Sequence, residues 1–464
     1  MEAYWGAVRY DRSRGRLQLG DADAVTLASA YGTPLLVLNE TIIREHCRRY
    51  RQAFRDAGAP SAEVAYAGKA FLTIAMCQLL DEEGLSLDVV SGGELYTALS
   101  AGFPPERILF HGNNKSVDEL EQALSAGVGR IVVDNFAELE RLERLVAPSR
   151  RARVLLRVVP GVEAHTHAYI ETGKQDTKFG FDIACGQALE AVERTLAIPG
   201  LELVGLHCHI GSQIFEIEPY RKAIERVYAF LDEVERRCGI ILPELDFGGG
   251  LGVRYLPEDA PPSIEALVAA LVAEVRRQAE ERGWPLPHLL VEPGRSIVCE
   301  AGVTLYEVGS IKRLPGVRTY VAVNGGMMEN PRPALYDARY TALLVPGAGS
   351  TPLSERPLER VAIVGRACES GDVLVREIEL PRPEVGDLVA LLSTGAYTYS
   401  MAGHYNKFPR PAVVLLEGSK ARIIVEREHY HDLIRHERPL RAAAKVASTP
   451  TRAARRAAAT EPQA

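Results

Sequence analysis

The sequence is poor in the features that define several classes of protein. Its 464 residues contain 7 cysteines, an odd number with no C-x-x-C pair, and such scattered cysteines fit a reducing compartment. No uninterrupted apolar run reaches the roughly 18 residues of a membrane-spanning helix. The net charge is −7 at pH 7 and no basic stripe stands out, which argues against a nucleic-acid-binding protein. The opening residues MEAYWGAVRY lack the basic-then-apolar order of a signal peptide, and we therefore expect a cytoplasmic protein.

The composition and the pattern of apolar runs predict a globular α/β protein. Hydrophobic residues make up 47% and charged residues 25%, which excludes a disordered or fibrous chain. The length is about three times that of a usual domain, so we expect two domains. Eight apolar runs alternate with helical patterns, and eight parallel strands close a TIM barrel, (β/α)8, whereas an open doubly wound sheet usually has about six. The runs are 62–68, 85–90, 107–112, 130–134, 154–159, 203–212, 245–250 and 288–294.

The chain on either side of the predicted barrel has a different pattern. After the last barrel run, β-branched stretches are separated by Gly and Pro turns, which predicts a mostly antiparallel C-terminal β domain. A helix is predicted over 41–57, with Thr41 as its N-cap. The predicted segments are 1–36, which contributes strands to the β domain through LQLG and TPLLVL, the barrel at 37–300, the β domain at 301–438 and a disordered Ala- and Arg-rich tail at 439–464.

Polar residues gather at the carboxyl ends of the predicted barrel strands, where TIM barrels build their active sites. A purely structural barrel does not need polar groups at nearly every strand end, so together these residues predict a site. In strand order they are Lys69; Asp88, Ser91 and Glu94; His111, Asn113 and Asn114; Asp134; Arg157; His207, His209, Ser212 and Gln213; Gly248, Gly249 and Gly250; and Glu292 and Arg295.

Two glycine-containing turns predict a phosphate site. The segment GGGLG at 248–252 presents consecutive backbone N–H groups without side chains in the way, which suits a phosphate but also fits a plain tight turn. The segment EPGR at 292–295 follows the next strand, so the two turns lie after strands seven and eight, as in the usual phosphate site of barrels. The pair of turns favours phosphate binding over a purely structural role.

Side chains with chemistry of their own lie at the same mouth. Lys69, in YAGKAFL, is suited to a Schiff base where it is withdrawn from water, although a solvated lysine is the commoner case. Glu292 can hold a pyridine nitrogen protonated, as in pyridoxal phosphate (PLP) enzymes, or form an ion pair with Arg295. His207 and His209 share one side of a strand. A flat ring packed on a cofactor is favoured for His209 over a zinc ligand, because no third ligand has recognisable spacing.

A thiol and an acid stand together outside the predicted barrel. Cys368 and Glu369 lie in ACESGD, at the end of a β-domain strand. A buried structural cysteine is the usual case. The neighbouring acid and the turn make a proton-donor role an alternative.

Taken in order, these motifs resemble those of the fold-type III PLP-dependent amino-acid decarboxylases. YAGKAFL, HCHIGSQ, GGGLG, EPGRSIV and ACESGD follow that order, and the resemblance is closest to the diaminopimelate decarboxylase branch. DVVSGGEL, HGNNKS, GVEAHTHAYIETGKQDTKFG, NPRPALY, TGAY and YNKFPRP also resemble motifs of that branch, between about residues 20 and 430. The resemblance implies an alanine racemase-like barrel with a C-terminal β domain, PLP as the cofactor, and a homodimer with its active sites at the interface.

The resemblance also implies a role for each matching residue. Lys69 would bind PLP covalently, and Cys368 of the neighbouring subunit would be the proton donor. PLP would be bound by Lys69, Asp88, Glu94, Arg157, His209, Ser212, Gly248, Gly249, Gly250, Glu292, Gly294, Arg295 and Tyr397. The distal end of an amino-acid substrate would be held by Arg295, Arg332, Tyr336, Glu369 and Tyr397. No metal ligand is implied.

The implied reaction is the loss of carbon dioxide from the D centre of meso-2,6-diaminopimelate, which gives L-lysine in the last step of lysine biosynthesis. Asn324 and Val159 stand where the family usually has Asp and Asn, and MMEN at 327–330 replaces a commoner pair. These departures leave the identity of the substrate more open than the type of reaction. The alternatives are a sister decarboxylase for D-lysine, D-ornithine or a related amino acid, an alanine racemase-like enzyme, a PLP-binding regulator, and an aldolase that uses Lys69.

Overall fold

The first part of the chain forms a small sheet and then one strand of the C-terminal sheet. The computed structural model describes residues 2–6, 8–11, 14–147, 151–162 and 177–441. The small antiparallel sheet contains β1 (Glu2–Ala3), β2 (Val8–Asp11), β3 (Arg16–Leu19) and β4 (Ala22–Asp23), and α1 (Ala24–Tyr31) follows it. LQLG lies in this small sheet, whereas β5 (Leu35–Asn39), from TPLLVL, pairs with strands of the C-terminal domain.

Eight parallel strands form a closed barrel, which confirms the predicted fold. The strands are β6 (Glu63–Ala67), β7 (Ser86–Val89), β8 (Ile108–Phe110), β9 (Arg130–Val133), β10 (Ala152–Val159), β12 (Leu201–His207), β13 (Glu244–Asp246) and β14 (His288–Val291), with the short β11 (Phe181–Asp182) beside β10. Pairing of β14 with β6 closes the ring. Each of the eight apolar runs of the sequence overlaps one of these strands.

Helices connect the barrel strands and cover them. They are α2 (Glu40–Asp56), α3 (Ile74–Glu82), α4 (Gly92–Ser100), α5 (Val117–Ala126), α6 (Phe136–Leu145), α7 (Gln187–Leu196), α8 (Glu218–Cys238), α9 (Ile264–Arg282) and α10 (Arg295–Val298). The predicted N-cap of α2 was wrong. Asn39 caps this helix, because it has extended backbone and its side chain accepts the Ile42 N–H at 3.2 Å, while Thr41 already lies inside the first turn. No helix in the described part of the chain is long and apolar enough to cross a membrane.

A mostly antiparallel sheet forms the C-terminal domain. Its strands are β5, β15 (Gly302–Leu314), β16 (Arg318–Val323), β17 (Ala342–Val345), β18 (Leu358–Val364), β19 (Val373–Pro381), β20 (Leu388–Leu392), β21 (Ala412–Glu417) and β22 (Lys420–Val425), and α11 (Arg332–Tyr336) follows β16. Among the described strands of this C-terminal sheet, only the pairs β16–β18 and β5–β21 are parallel. Residues 442–464 of the predicted tail, and 163–176 of the motif that begins at Gly161, lie outside the described residues.

Alternation along the barrel strands sorts the inward side chains into layers. Residues two apart point to the same side of a strand, so Arg130, Val132 and Asp134 follow one another from one end of the barrel to the other. The middle layer is a buried apolar cluster, separate from the main core, of Ala65, Leu109, Val132, Leu155, Val204 and Leu290. The two ends of the barrel therefore carry the polar groups.

The layer at the amino ends of the strands is ionic. Arg130 donates from Nη2 to Glu63 Oε2 at 2.9 Å and from Nε to Glu244 Oε2 at 2.5 Å. His288 Nε2 lies 3.1 Å from Glu63 Oε2, and Arg153 Nη2 lies 2.5 Å from Glu244 Oε1. Burial alone would raise the pKa of Glu63, but His288 and Arg130 lower it to about 2. This layer is a paired network that closes the end of the barrel opposite the predicted site.

Replacement of Arg130 is expected to destabilise the protein strongly. The change Arg130→Met leaves the buried Glu244 and the half-buried Glu63 without their shared partner, so we expect the free energy of unfolding to fall by about 3–5 kcal/mol. Urea unfolding followed by circular dichroism measures the loss. The matched control is Arg144→Met, because Arg144 is 73% exposed and forms a long ion pair with Glu140, at 3.9 Å. This change should alter the free energy of unfolding by less than about 0.5 kcal/mol. Equal effects of the two changes would contradict the prediction.

Candidate active site

A cavity of about 690 Å³ opens at the carboxyl ends of the barrel strands. Active sites of TIM barrels lie at this end. The predicted residues that line the cavity are Lys69, His111, Asn113, Arg157, His207, His209, Ser212, Gln213, Gly249, Gly250, Glu292, Gly294, Arg295, Arg332, Tyr336 and Tyr397. The predicted residues that do not line it are Asp88, Ser91, Glu94, Asn114, Asp134, Gly248, Cys368 and Glu369. The cavity therefore brings together most of the residues singled out in the sequence, from both the barrel and the C-terminal domain.

The glycine turns form a bare backbone surface at one side of the cavity. A Cβ at Gly249 would lie 2.3 Å from the Glu292 carbonyl oxygen, and one at Gly250 would lie 2.6 Å from the Gly211 carbonyl oxygen. A Cβ at Gly294 would lie 3.0 Å from the Cβ atoms of Ala67 and Ala70. Only glycine fits these positions without a shift of the neighbouring chain, and the result is a cradle of main-chain atoms of the kind that receives a phosphate.

Glu292 lies at the floor of the cavity between two histidine rings. Its Oε1 is 2.5 Å from His111 Nε2 and its Oε2 is 3.1 Å from His207 Nε2. The carboxyl group is buried, which by itself would raise its pKa. Contacts with His111 and His207 nevertheless hold that pKa well below its usual range. Glu292 is therefore an anion that faces the cavity.

Lys69 lies at the cavity mouth, and its side chain is open to the cavity. Burial would lower the pKa of Lys69, but the charges of Asp88 and Glu292 raise it. Burial raises the pKa of Asp88 to about 6, although His111 opposes the shift. Acidic groups thus surround the amine and favour its protonated form while no ligand is bound.

Glu94 and Arg157 hold neighbouring parts of the barrel mouth. Glu94 Oε2 accepts the Val90 N–H at 2.7 Å, and burial raises the pKa of Glu94. The Arg157 guanidinium packs over the Phe179 ring at 4.3 Å, and its Nη1 is 3.8 Å from Asp134 Oδ1. Burial also lowers the pKa of Arg157. Glu94 orders the turn after β7, and Arg157 supplies a buried cation beside the acidic groups.

Arg295 connects the second glycine turn with the opposite wall. Its Nη2 donates to Ser212 Oγ at 3.0 Å and its Nη1 donates to Tyr255 Oη at 2.5 Å. The guanidinium also lies 4.7 Å from the centre of the Tyr397 ring. His209 Nδ1, on the same wall, accepts the Gly249 N–H at 3.2 Å. These contacts direct a cation, two hydroxyls and an imidazole toward the glycine cradle.

The C-terminal domain contributes a second cation to the cavity. Arg332 is buried, and its Nη1 donates to Tyr340 Oη at 2.7 Å. Its guanidinium lies 4.8 Å from the centre of the Tyr255 ring. Tyr336, at the end of the same helix α11, also lines the cavity. Two arginines thus face the space between the barrel and the β domain, where an anionic group of a ligand could be held.

Cys368 and Glu369 lie away from the cavity of their own chain. Both side chains are exposed, and the Cys368 N–H donates to Asn406 Oδ1 at 2.7 Å. Asp372 ties their loop to the chain that leads to Arg332, because its Oδ2 accepts the Ala367 N–H at 2.8 Å and its Oδ1 accepts the Met327 N–H at 2.7 Å. One subunit alone therefore does not bring the thiol to the cavity.

The departures from the family pattern lie outside the cavity lining. Asn324 Nδ2 donates to Thr33 Oγ1 at 2.7 Å, and Asn324 Oδ1 accepts the Glu307 N–H at 3.0 Å. Val159 is buried at the end of β10. Glu329, from MMEN, is buried, and burial raises its pKa to about 7. None of these three side chains lines the cavity.

Sequence reasoning assigned no individual role to His111 or Tyr255, which both line the cavity. His111 was noted only as one of the polar groups at strand ends, and its contact with Glu292 has no local sequence signal. Tyr255, which binds Arg295 and lies under Arg332, follows the third glycine of the cradle by five positions and carried no signal either. Both contacts join chain segments that are distant in sequence.

Comparisons with known proteins agree with this geometry. Residues 40–299 match a family model described as pyridoxal-dependent decarboxylase, pyridoxal binding domain. The chain is 50% identical to a diaminopimelate decarboxylase of Bacillus subtilis (strain 168), over 93% of this chain and 97% of that protein. It also resembles the crystal structure of diaminopimelate decarboxylase from M. jannaschii in complex with L-lysine, with a TM-score of 0.86, 35% identity, and coverage of 94% and 99%. The diaminopimelate decarboxylase of Helicobacter pylori with L-lysine has a TM-score of 0.79 at 32% identity, with coverage of 89% and 98%.

The glycine cradle makes a testable prediction. The change Gly249→Ala places a methyl group against the main chain of Glu292 and fills the cradle, so we expect the Kd for PLP to rise at least about tenfold. Fluorescence titration of the cofactor-free protein measures it. The control is Gly309→Ala, because Gly309 is exposed on β15 and its Cβ would meet only the Ala322 carbonyl oxygen, at 3.8 Å. An unchanged Kd in Gly249→Ala would show that the phosphate does not bind here.

Proposed function

The chain belongs to the diaminopimelate decarboxylase family of PLP-dependent decarboxylases, and on that premise we propose that it removes carbon dioxide from the D centre of meso-2,6-diaminopimelate to give L-lysine. The observation that carries the proposal is one cavity that contains Lys69, the anionic Glu292 and a glycine cradle. These are an amine, an acid and a phosphate site, the three groups that PLP needs. The reaction is the last step of lysine biosynthesis.

The residues of the cavity fit PLP in each part of that molecule. The cradle of Gly248, Gly249, Gly250 and Gly294, with Ser212, Arg295 and Tyr397 beside it, fits the phosphate. His209 fits one face of the ring, and Glu292 fits the ring nitrogen, which it would keep protonated. When bound, PLP supplies an electron-accepting ring that stabilises the negative charge left on the α carbon as carbon dioxide departs. Lys69 would bind the cofactor covalently, with Asp88, Glu94 and Arg157 as the charged surroundings.

Recognition of the substrate requires groups that bind its distal end. Diaminopimelate carries a carboxylate and an ammonium group at the end that does not react. Arg295 and Arg332 suit the distal carboxylate, because guanidinium groups bind carboxylates bidentately, and an acid such as Glu369 suits the distal ammonium. Tyr336 and Tyr397 would complete that end of the pocket. Both distal groups must be bound if the enzyme is to distinguish the D centre from the L centre.

The proton that replaces carbon dioxide would come from a second subunit. Cys368 and Glu369 are exposed and lie outside the cavity of their own chain, so a head-to-tail homodimer is the arrangement that would bring them to a site. Cys368 would then protonate the α carbon, and Glu369 would face the distal ammonium. The cysteines are free, which fits our proposal of a cytoplasmic enzyme, because the cytoplasm keeps thiols reduced.

Loss of Lys69 and loss of Cys368 should have different effects. Lys69→Ala should abolish the visible absorbance of covalently bound PLP, whereas Cys368→Ala should keep that absorbance and lose most turnover. Mixing the two inactive variants should restore activity that neither has alone, because one of the two sites in a mixed dimer regains both residues. Mixed samples without activity would exclude shared sites, and an unchanged spectrum in Lys69→Ala would exclude the covalent role of Lys69.

The substrate is tested with the PLP-loaded protein and three amino acids. We expect carbon dioxide release and L-lysine from meso-diaminopimelate, and release near background from D-lysine and D-ornithine, because only the first substrate supplies a distal carboxylate for two arginines. Carbon dioxide trapping and amino-acid chromatography measure both products. The control Arg332→Lys keeps the charge but loses the bidentate geometry, so it should raise KM more than it lowers kcat. Release mainly from D-lysine or D-ornithine would contradict the proposal.

A further inference from the structure

Two histidines that the family resemblance leaves without a role contact the acid at the cavity floor. His111 follows β8 and His207 ends β12, and each presents Nε2 to a different oxygen of Glu292, at 2.5 and 3.1 Å. The two rings meet edge to face with their centres 4.8 Å apart. All three side chains are at least nine-tenths buried, so water does not compete for these contacts. Glu292 is thus bound from two sides by ring nitrogens.

The hydrogen bonds of His207 indicate which of its ring nitrogens carries the proton. Its Nδ1 is buried and has no hydrogen-bond partner among the described residues. A proton on Nδ1 would be a buried donor without an acceptor, which is costly. The proton therefore belongs on Nε2, where it is donated to Glu292. Burial lowers the pKa of His207, which agrees with a neutral ring that donates one hydrogen bond.

Neighbouring charges make Glu292 the acid that stays ionised. The charged or titratable groups that face it, besides His111 and His207, are Lys69, Asp88, Arg157, Cys208, His209 and Asp246. Burial and the charge of Glu292 raise the pKa of Asp246 well above its usual range, and burial raises that of Asp88 to about 6. The three buried carboxyls therefore differ in pKa, and Glu292, which both imidazoles contact, is the one that loses its proton most readily.

We propose that His111 and His207 are positioning residues that bind both oxygens of Glu292 and hold it, as an anion, in the orientation that a protonated ring nitrogen requires. The proposal rests on the proposed function, in which Glu292 pairs with the pyridine nitrogen of PLP. A carboxylate that receives one hydrogen bond on each oxygen cannot rotate freely. It keeps its remaining lone pairs directed toward the cavity.

A zinc site is the competing use of the same three side chains. Their ligand atoms lie within 4.8 Å of one another, and two histidines with one glutamate form a known zinc set. The 2.5 Å between His111 Nε2 and Glu292 Oε1 is a hydrogen-bond distance, whereas two ligands each about 2.0–2.2 Å from a tetrahedral zinc ion lie farther apart. The geometry therefore favours hydrogen bonding.

The test replaces each histidine with leucine, and His111 also with glutamine, in the PLP-loaded protein. We expect His111→Leu and His207→Leu to lower the pH at which the ring nitrogen loses its proton by at least about one unit, a tenfold change. The 15N NMR shift of PLP labelled at the ring nitrogen reports this directly. His111→Gln keeps a hydrogen-bond donor near the position of Nε2. In this variant the pH at which the ring nitrogen loses its proton should therefore fall less than in His111→Leu. kcat should fall at least about tenfold in the leucine variants, with a smaller change in KM.

A matched control separates this effect from loss of stability. His288→Leu removes a histidine that binds Glu63 at the opposite end of the barrel, so it should change the unfolding midpoint but not the titration of the ring nitrogen. The proposal is wrong if the leucine variants titrate like the unmodified protein, or if the purified protein holds one zinc ion per chain that a chelator removes. Absence of bound PLP in the unmodified protein would instead overturn the proposed function itself.

Discussion

Charged side chains inside a closed barrel must be paired there, and this constraint governs the rest of the structure. An isolated buried charge is strongly destabilising, so each inward-facing acid or base needs a partner within the barrel. At the amino ends of the strands the requirement is met completely, because Arg130 joins Glu63 and Glu244. An apolar layer then separates that network from the opposite end. The stability of the scaffold thus depends on one end of the barrel, which leaves the other end free for chemistry.

At the carboxyl ends of the strands the pairing is incomplete. Oδ1 of Asp88, Oδ1 of Asp134 and Oδ2 of Asp246 are buried without hydrogen-bond partners among the described residues. Natural proteins leave few such atoms, and sites that bind a ligand are a common reason for them. The glycine cradle beside them is also costly in conformational freedom, since Gly248 and Gly250 adopt positive φ angles. Polar groups without partners and bare backbone at one place are what a polar, phosphate-bearing cofactor would complete.

The sequence predicted the barrel well because its signal is local. Eight apolar runs at strand length, with helical patterns between them, are enough to indicate the strand count, and strand ends indicate where polar residues meet. Contacts across the barrel have no such signal. His111 and Glu292, which are 181 positions apart in the chain, meet only because the barrel closes. The N-cap of α2 was misplaced for a local reason, because Asn39 and Thr41 are both good caps and only the backbone decides between them.

The same reasoning explains why the thiol could be linked to the site only by resemblance. Cys368 is exposed and does not line the cavity of its own chain. The surroundings of Cys368 within one subunit therefore do not indicate its chemistry. Asp372 nevertheless joins its loop to the segment before Arg332 through two main-chain hydrogen bonds. In a dimer with shared sites, one carboxylate would then position a proton donor for one active site and a substrate-binding cation for the other. The two sites would then be connected through the β domain, because Asp372 hydrogen-bonds to both segments.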